Sequence, residues 1–358
     1  MPFQRNPVLQ TTGSAHERVG TALVIQTAFL GDVVLTTPLL EALARRAGPV
    51  DVVTTPAALP LVATHPGVRR AIPYDKRGQD RGMAPFLALA RALRAERYEA
   101  AYLPHRSLRS GALAWLARIP RRVGFHDGWP LLYTEVRRRP ADGHESDRLL
   151  ALAGEPPHSF APRIWPTPAD AAAVDAWLDA VQGALDGGFV ALAPGSIWGA
   201  KRWPYYRELA EQLARRGGIV VVGGAEDASL ASEITAAVGR SGGRAVSACG
   251  RLTLRQSAVL IGRARLLVTN DSAPLHLATA MGTPVVAVFG PTIPEFGFGP
   301  VREGEGAASV GLVGLACRPC SDHGPRACPL GHHRCMRELS VDRVLAAIEE
   351  TGALRRRD

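Results

Sequence analysis

Residues 266–289, LLVTNDSAPLHLATAMGTPVVAVF, contain two short apolar runs on either side of a longer segment with helical spacing. The runs 266–269 and 285–289 are rich in β-branched residues and predict strands, whereas residues 273–281 predict a helix. A strand, a helix and a second strand in this order form the βαβ unit from which parallel sheets are built. This stretch therefore predicts an α/β fold.

The same alternation extends over most of the chain. Further strands are predicted at 21–26, 50–54, 70–73, 100–103, 189–193 and 219–222. Helices are predicted at 38–46, 84–97, 108–118, 205–216, 227–238, 254–262 and 341–350. Pro38 is suited to the first turn of its helix, and Ser340 to the N-cap of the last one. The elements form two separate series, one in each half of the chain.

A Pro-rich segment at 155–168 separates the two series, and 358 residues are enough for two domain cores. We expect an N-terminal domain at residues 1–165, a C-terminal domain at 166–339, and a C-terminal helix and tail at 340–358. Both domains should be Rossmann-like and should face each other across a cleft. Ligands then bind where the strands end and the helix N-termini point inward.

Composition excludes several classes of protein. Apolar residues make up 46% of the chain and charged residues 21%, which is typical of a globular protein rather than a disordered or fibrous one. No apolar run approaches the roughly 18 to 20 residues of a membrane helix, and residues 1–20 lack the apolar stretch of a signal peptide. Five cysteines are too few for a secreted disulfide scaffold of this size. We therefore expect a cytoplasmic protein with reduced thiols.

The net charge of +9 comes almost wholly from arginine, because Lys76 and Lys201 are the only lysines among 42 basic residues. A GC-rich genome is sufficient to explain this bias. A basic surface suits anionic partners, which include nucleic acid, phospholipid headgroups and phosphorylated sugars. Charge alone does not choose among them.

Asp32 follows the strand at 21–26 and Gly31, at the start of a helix. A carboxylate there can simply cap the helix, since Asp is a favoured N-cap residue. It can also lie at the rim of the cleft and take a proton from an acceptor hydroxyl. Its position in the sequence is compatible with both roles.

The segment 193–204, APGSIWGAKRWP, is a strand end followed by a Gly-containing loop. Its small residues, Ser196 among them, allow backbone amides to approach an anion, and Lys201 adds positive charge. The segment is neither a P-loop nor a GxGxxG fingerprint, so it can also be an ordinary loop with an incidental basic pair. In an Arg-rich chain, a retained lysine favours a site that needs a compact ammonium group.

Two further strand ends carry polar residues. Glu226, in VGGAED at 222–227, could accept hydrogen bonds from ribose hydroxyls, but acids are common at helix starts. In 269–281, Asp271, Ser272 and Ala273 begin a helix whose amides should point into the cleft, and His276 lies one turn further on. Capping is the alternative role for Asp271, and a histidine of the protein interior is the alternative for His276.

An arginine cluster in 104–124 is either a solvated face or a clamp for acidic sugars or phosphates of an acceptor. It consists of Arg106, Arg109, Arg118, Arg121 and Arg122.

Four cysteines lie within 19 residues, which is enough for a tetrahedral zinc site, although the spacing is not that of a common zinc finger. They are Cys317, Cys320, Cys328 and Cys335. Free thiols in a loop are the alternative.

Together these segments resemble the ADP-heptose:lipopolysaccharide heptosyltransferase family, glycosyltransferase family 9, in its heptosyltransferase II-like form. The resemblance covers most of the chain, and the order and spacing of the segments agree with the family. It rests on 21–45 (TALVIQTAFLGDVVLTTPLLEALAR), 192–213 (LAPGSIWGAKRWPYYRELAEQL), 220–234 (VVVGGAEDASLASEI), 266–295 and 317–336 (CRPCSDHGPRACPLGHHRCM).

The resemblance implies a GT-B fold, with the acceptor held mainly by the N-terminal domain and ADP-heptose by the C-terminal one. It implies that Asp32 is the catalytic base and that Lys201 and Ser196 contact the donor diphosphate. Glu226 matches the acid that binds the adenosine ribose. The stretch that holds diphosphate and heptose matches Asp271, Ser272, Ala273 and His276, although Ser272 replaces a Thr and Ala273-Pro274 replaces Gly-Leu.

The family reaction is inverting, and the absence of an Asp-x-Asp pair agrees with a mechanism that needs no metal for the leaving group. We expect no catalytic cofactor, with a structural zinc at the four cysteines. The expected partners are ADP-heptose, the lipopolysaccharide inner-core acceptor, held by Arg106, Arg109 and Arg122, and an anionic surface at the inner face of the inner membrane, with no nucleic acid. A GT-B enzyme for another nucleotide sugar and a non-catalytic basic binder of membranes or nucleic acid are the alternatives.

Overall fold

The computed structural model describes residues 21–181, 183, 185, 188–301 and 306–355. The first half contains a parallel sheet of order β3-β2-β1-β4-β5-β6 with helices on its faces. Its elements are β1 (Ala22–Gln26), α1 (Leu30–Ala47), β2 (Val50–Thr54), α2 (Leu59–Val62), β3 (Val68–Pro73), α3 (Met83–Ala95), β4 (Ala100–Leu103), α4 (Leu108–Leu116), β5 (Arg121–Phe125), β6 (Glu135–Arg137) and α5 (Glu145–Ala153).

The second half repeats this arrangement in a parallel sheet of order β12-β11-β10-β7-β8-β9. Its elements are α6 (Pro168–Ala180), β7 (Phe189–Ala193), α7 (Tyr206–Leu213), β8 (Gly218–Val221), α8 (Ala228–Arg240), β9 (Ala245–Ser247), α9 (Leu254–Arg263), β10 (Leu266–Asn270), α10 (Ala273–Met281), β11 (Val285–Phe289), β12 (Ala307–Gly311), α11 (Arg334–Arg337) and α12 (Val341–Glu350). The predicted α/β class is confirmed. None of the helices in the described ranges is long and apolar enough to cross a membrane.

In both sheets the first strand of the half lies beside the fourth, so β1 pairs with β4 and β7 pairs with β10. The chain order reverses at this point, and the loops after neighbouring strands diverge to leave a crevice. The central strands are buried on both faces, as the continuous apolar runs of β7 and β11 require. Each half therefore has a ligand-binding crevice at the carboxyl ends of its central strands.

Helix α1 begins at Leu30, so the predicted start at Pro38 is wrong. A proline inside a helix lacks the N–H that would bond the carbonyl four residues earlier, which here belongs to Val34. The Thr37 hydroxyl donates to that same Val34 carbonyl at 2.7 Å and replaces the missing bond. As a result, Gly31 lies in the first turn of a long helix rather than in a loop, and Asp32 lies in the same turn, at the helix start where it was expected.

The two halves pack closely against each other. Helix α1 contacts α10, and α2 contacts α9, so that one apolar core cluster includes residues of both sheets. Arg255 links Asp170 to the Pro60 carbonyl of the first half, and the Glu145 amide donates to the Gly297 carbonyl of the second. The crevices of the two sheets therefore open toward a shared cleft. The predicted domain boundary at residue 165 falls between the last strand of the first sheet and the first strand of the second, and stays a prediction.

Candidate active site

A cavity of about 610 Å³ lies between the two halves. The first half contributes the loop after β1 and the first turn of α1, including Phe29 and Asp32. The second half contributes the loops after β7, β8 and β10. All the predicted catalytic and donor-binding residues line this cavity, namely Asp32, Ser196, Lys201, Glu226, Asp271, Ser272, Ala273 and His276. The fold thus brings together residues up to 244 positions apart in the sequence.

The carboxylate of Asp32 both caps helix α1 and faces the cavity. Its Oδ2 accepts a hydrogen bond from the Phe29 backbone amide at 3.1 Å. Burial raises the pKa of Asp32 from 3.8 to about 6, against the opposing effects of that hydrogen bond and of the nearby Arg139 and Lys201. A base with a pKa near neutral combines a populated carboxylate with a useful affinity for a proton. The two roles that the sequence left open for Asp32 are therefore compatible.

Gly31 allows the N-terminus of α1 to lie directly against His276 of α10. A Cβ at residue 31 would come within 2.6 Å of His276 Cδ2, so no larger side chain fits there without a shift. His276 is buried, and burial lowers its pKa to about 3, which keeps the imidazole neutral. Its Nδ1 has no hydrogen-bond partner among the described residues. The ring is therefore held by packing at the junction of the two halves and keeps one polar atom free.

Lys201 and Asp271 form a buried ion pair on the second-half side of the cavity. Lys201 Nζ donates to Asp271 Oδ2 at 2.6 Å, and the Thr292 hydroxyl donates to the same oxygen at 2.6 Å. A charge this deeply buried requires a partner, because removing an ion from water costs several kcal/mol. The pair therefore keeps an ammonium group in the cavity, where an anionic ligand can contact it.

The loop after β8 separates the roles of its two acidic residues. The Asp227 carboxylate accepts from the Gly224 amide at 3.1 Å and lies so close to Gly195 that a Cβ there would be 2.3 Å from its Oδ1. The Asp227 side chain thus caps the helical turn at Ala225–Asp227, which precedes α8. Glu226 is exposed and lines the cavity, where its carboxylate can accept hydrogen bonds from a ligand.

The loops after β7 and β10 present small polar groups to the cavity. The Ser196 side-chain oxygen accepts from the Trp198 amide at 3.2 Å. Ser272 is the N-cap residue of α10, but its hydroxyl makes no capping hydrogen bond and lies 3.4 Å from Thr269 Oγ1. The Ala273 amide is therefore available to an anion at this helix N-terminus, whereas Pro274 has no N–H and the Leu275 amide donates to the Ser272 carbonyl at 3.1 Å.

The three arginines predicted to bind the acceptor do not line the cavity. Arg106 is exposed and lies 3.9 Å from Asp322, a cavity residue of the second half. Arg109 packs over two aromatic rings of its own half, and Arg122 donates to two backbone carbonyls near it. Arg106 is thus adjacent to the cleft, whereas the guanidinium groups of Arg109 and Arg122 hold their own half together.

A cluster of polar residues around Thr27, which directly follows β1, was not predicted from the sequence. Lys76 Nζ donates to the Thr27 carbonyl at 2.7 Å and to its hydroxyl at 3.0 Å. His105 lies 3.5 Å from the same hydroxyl, and its pKa falls to about 4, mainly through burial. The next residue after Lys76, Arg77, lines the cavity. The sequence does contain an indication of this cluster, because Lys76 is, with Lys201, one of the two lysines retained in an Arg-rich chain.

The cysteine segment forms one wall of the cavity. Asp322 and His323 line it, and the His323 ring lies 6.1 Å from the Phe29 ring of the first half. His333 Nε2 lies 2.7 Å from the Ala200 carbonyl, next to Lys201. The five cysteines are free thiols, and the described residues include no group of three His, Cys, Asp or Glu placed to hold a metal ion. The zinc site expected at the four clustered cysteines stays a prediction.

Comparison with known proteins identifies the family. The profile of glycosyltransferase family 9 (heptosyltransferase) matches residues 86–326. Lipopolysaccharide heptosyltransferase 2 of Salmonella typhimurium is 28% identical over 308 residues, which are 76% of this chain and 84% of that protein.

Solved structures show the same architecture. The Escherichia coli ADP-heptose lps heptosyltransferase II superposes with a TM-score of 0.73 at 27% identity, over 93% of this chain and 98% of the other. A glycosyl transferase family 9 protein from Veillonella parvula has a TM-score of 0.80 at 24% identity, over 93% and 97% of the two chains. These superpositions confirm the predicted GT-B fold, and the chain belongs to glycosyltransferase family 9, the heptosyltransferases.

Proposed function

We propose that this enzyme transfers heptose from ADP-heptose to the inner core of lipopolysaccharide, with inversion at the anomeric carbon. The main support for the proposal is that one cavity contains groups from both halves. The first half contributes the Asp32 carboxylate, and the second half contributes the Lys201–Asp271 ion pair. The proposal agrees with the similarity of the chain to the Escherichia coli ADP-heptose lps heptosyltransferase II.

The donor binds to the second half in this proposal. Its diphosphate lies beside Lys201, between the Ser196 loop and the N-terminus of α10, where backbone amides and the helix dipole favour negative charge. The adenosine ribose bonds Glu226. The heptose then lies toward Asp271 and the neutral His276, which both line the cavity.

Catalysis requires one displacement at the anomeric carbon. The acceptor hydroxyl transfers its proton to Asp32 as its oxygen forms the new bond to carbon, and the bond from carbon to the ADP oxygen breaks on the opposite face. The negative charge that develops on ADP is stabilised by Lys201 and by the Ala273 amide at the start of α10. Asp32 then releases the proton to solvent.

The acceptor approaches from the first half. Of the three arginines predicted to hold it, Arg106 has the geometry that best supports the role, because it lies beside Asp322 at the edge of the cleft. The inner core is attached to a membrane lipid, so the enzyme should work in the cytoplasm against the anionic inner face of the inner membrane. Arg109 and Arg122 belong to the same Arg-rich segment, 104–124, of the first half.

The proposal predicts that Asp32→Asn separates chemistry from binding. The amide keeps an oxygen for the Phe29 hydrogen bond, so the variant should fold and bind ADP-heptose nearly as the parent does. The rate of transfer to a heptose-deficient core acceptor should fall by about 10² to 10⁴, the usual contribution of a general base. Donor affinity by calorimetry and initial rates on one preparation provide the measurement.

Asp342→Asn is the matched control, because Asp342 also lies in the first turn of a helix, α12, which is remote from the cavity residues. It should leave both quantities unchanged. Equal rates for Asp32→Asn and the parent would restrict Asp32 to capping. A parent that turns over a different nucleotide sugar but not ADP-heptose would favour the alternative transferase.

Lys201 should not be replaceable by arginine. The ammonium lies in a buried pocket only 2.6 Å from Asp271, and a planar guanidinium needs more room and a different set of acceptors. We expect Lys201→Arg to weaken ADP binding and to lower the rate at least tenfold, and Lys201→Ala to lower both further. Full activity of Lys201→Arg would show that the lysine was retained by chance.

We propose that Cys317, Cys320, Cys328 and Cys335 hold a structural zinc ion. Their clustering supports this proposal, since four thiolates can complete a tetrahedral shell. Protein purified without chelators should then contain about one zinc per chain, and Cys317→Ser with Cys320→Ser should remove it. The matched control is Cys249→Ser, outside the segment. Elemental analysis that finds no metal in the parent would end this proposal.

A further inference from the structure

Exposed apolar side chains are concentrated on one part of the first half. Of the nine large apolar residues that are exposed within the described ranges, six lie between residues 83 and 136. Leu131 is 98% exposed and Trp115 is 54% exposed. Single exposed apolar residues are ordinary, but several on neighbouring elements indicate an interaction surface.

The elements that carry these residues are in direct contact. Leu108, Gly111 and Trp115 lie on one stripe of α4, because they are three and four positions apart. The turn Pro130–Leu132 packs on the middle of that stripe, where a Cβ at Gly111 would lie 2.9 Å from Leu132 Cδ1. Leu131 lies in the same turn, and its side chain is exposed. We call Leu108, Trp115, Trp129 and Leu131 the α4 face.

The α4 face lies in the most basic part of the chain. Residues 81–139 contain twelve arginines and four acidic residues, a net charge of +8 out of +9 for the whole protein. Arg118 lies two residues after the end of α4 and is exposed, and its amide donates to the Trp115 carbonyl. Arg122 donates to the Leu132 carbonyl at 2.7 Å and so fixes the turn.

We propose that the α4 face is the surface by which the enzyme docks on an anionic phospholipid bilayer. Leucine and tryptophan side chains enter the interfacial region of a bilayer, while flanking arginines bind anionic headgroups. The charge complementarity selects a lipid surface over an apolar protein partner. The inference rests on the proposed function, in which the acceptor is anchored in a membrane.

The orientation of the face suits that acceptor. Helix α4 follows the carboxyl end of β4, and the connection between them carries Arg106, which reaches Asp322 across the cleft. The edge of the cleft and the α4 face are thus joined by one short segment. A sugar chain that rises from the docked membrane can enter the cleft on the side of Asp32.

Sedimentation with phosphatidylcholine vesicles, with and without phosphatidylglycerol, tests the proposal. The parent should bind the phosphatidylglycerol vesicles and release them as salt is added. Leu131→Ser should weaken this binding about tenfold, and Arg118→Asn about fivefold. Asn tolerates the left-handed backbone of Arg118, whose φ is 55°. The matched controls are Val313→Ser, at a side chain 90% exposed in the second half, and Arg215→Gln.

Vesicle binding by Leu131→Ser equal to that of the parent would overturn the proposal. The proposal would also be overturned if Leu131→Ser lowered heptose transfer to a delipidated core oligosaccharide as much as it lowered vesicle binding. The α4 face would then bind the sugar rather than the membrane. A parent that forms dimers, and that Leu131→Ser converts to monomers without affecting vesicle binding, would assign the face to a second copy of the chain. Vesicle binding needs no turnover, so it stays informative if heptose transfer fails.

Discussion

The contact between Gly31 and His276 is the constraint on which the cavity depends. Because residue 31 has no side chain, the first turn of α1 lies directly on α10, and the two halves meet where both sheets have their crevices. This close approach buries Asp32, and burial is the main cause of its raised pKa. The same approach keeps His276 neutral. The lack of a Cβ at Gly31 thus influences both the packing of the two halves and the pKa values of Asp32 and His276.

The second half supplies charge of the opposite sign in a comparably buried setting. Lys201 donates to Asp271 Oδ2, which also accepts from the Thr292 hydroxyl, and Gly324 of the cysteine segment lies against the Lys201 side chain. A base on one side and a cation with a helix N-terminus on the other match the two charges that develop in glycosyl transfer, on the acceptor oxygen and on the leaving diphosphate. The proposed division between acceptor and donor halves rests on this asymmetry.

The sequence predicted the central strands and most helices correctly, since buried parallel strands are continuous apolar runs. It did not predict the edge strands β6, β9 and β12, which are only partly buried, or β5, which begins with two arginines. The start of α1 was misplaced because the compensation of Pro38 by the Thr37 hydroxyl is invisible before folding. The loop residues of the site were identified from motif and resemblance. Both Glu226 and Asp227 line the cavity, and only the structure shows that Asp227 is buried against Gly195 and Gly224 while Glu226 is exposed.

The central claim is that Asp32, with its pKa raised to about 6, takes the proton from the acceptor. The most direct test is the pH dependence of kcat/KM for heptose transfer by the parent and by Asp32→Asn. For the parent, the account predicts a rate that is level above about pH 7 and falls about tenfold per pH unit below about pH 6, because protonation removes the base. The small residual rate of the variant should lack this limb. Two results would contradict this role of Asp32: a kcat/KM that begins to fall only near pH 4 in the parent, or a fall below about pH 6 that persists in Asp32→Asn.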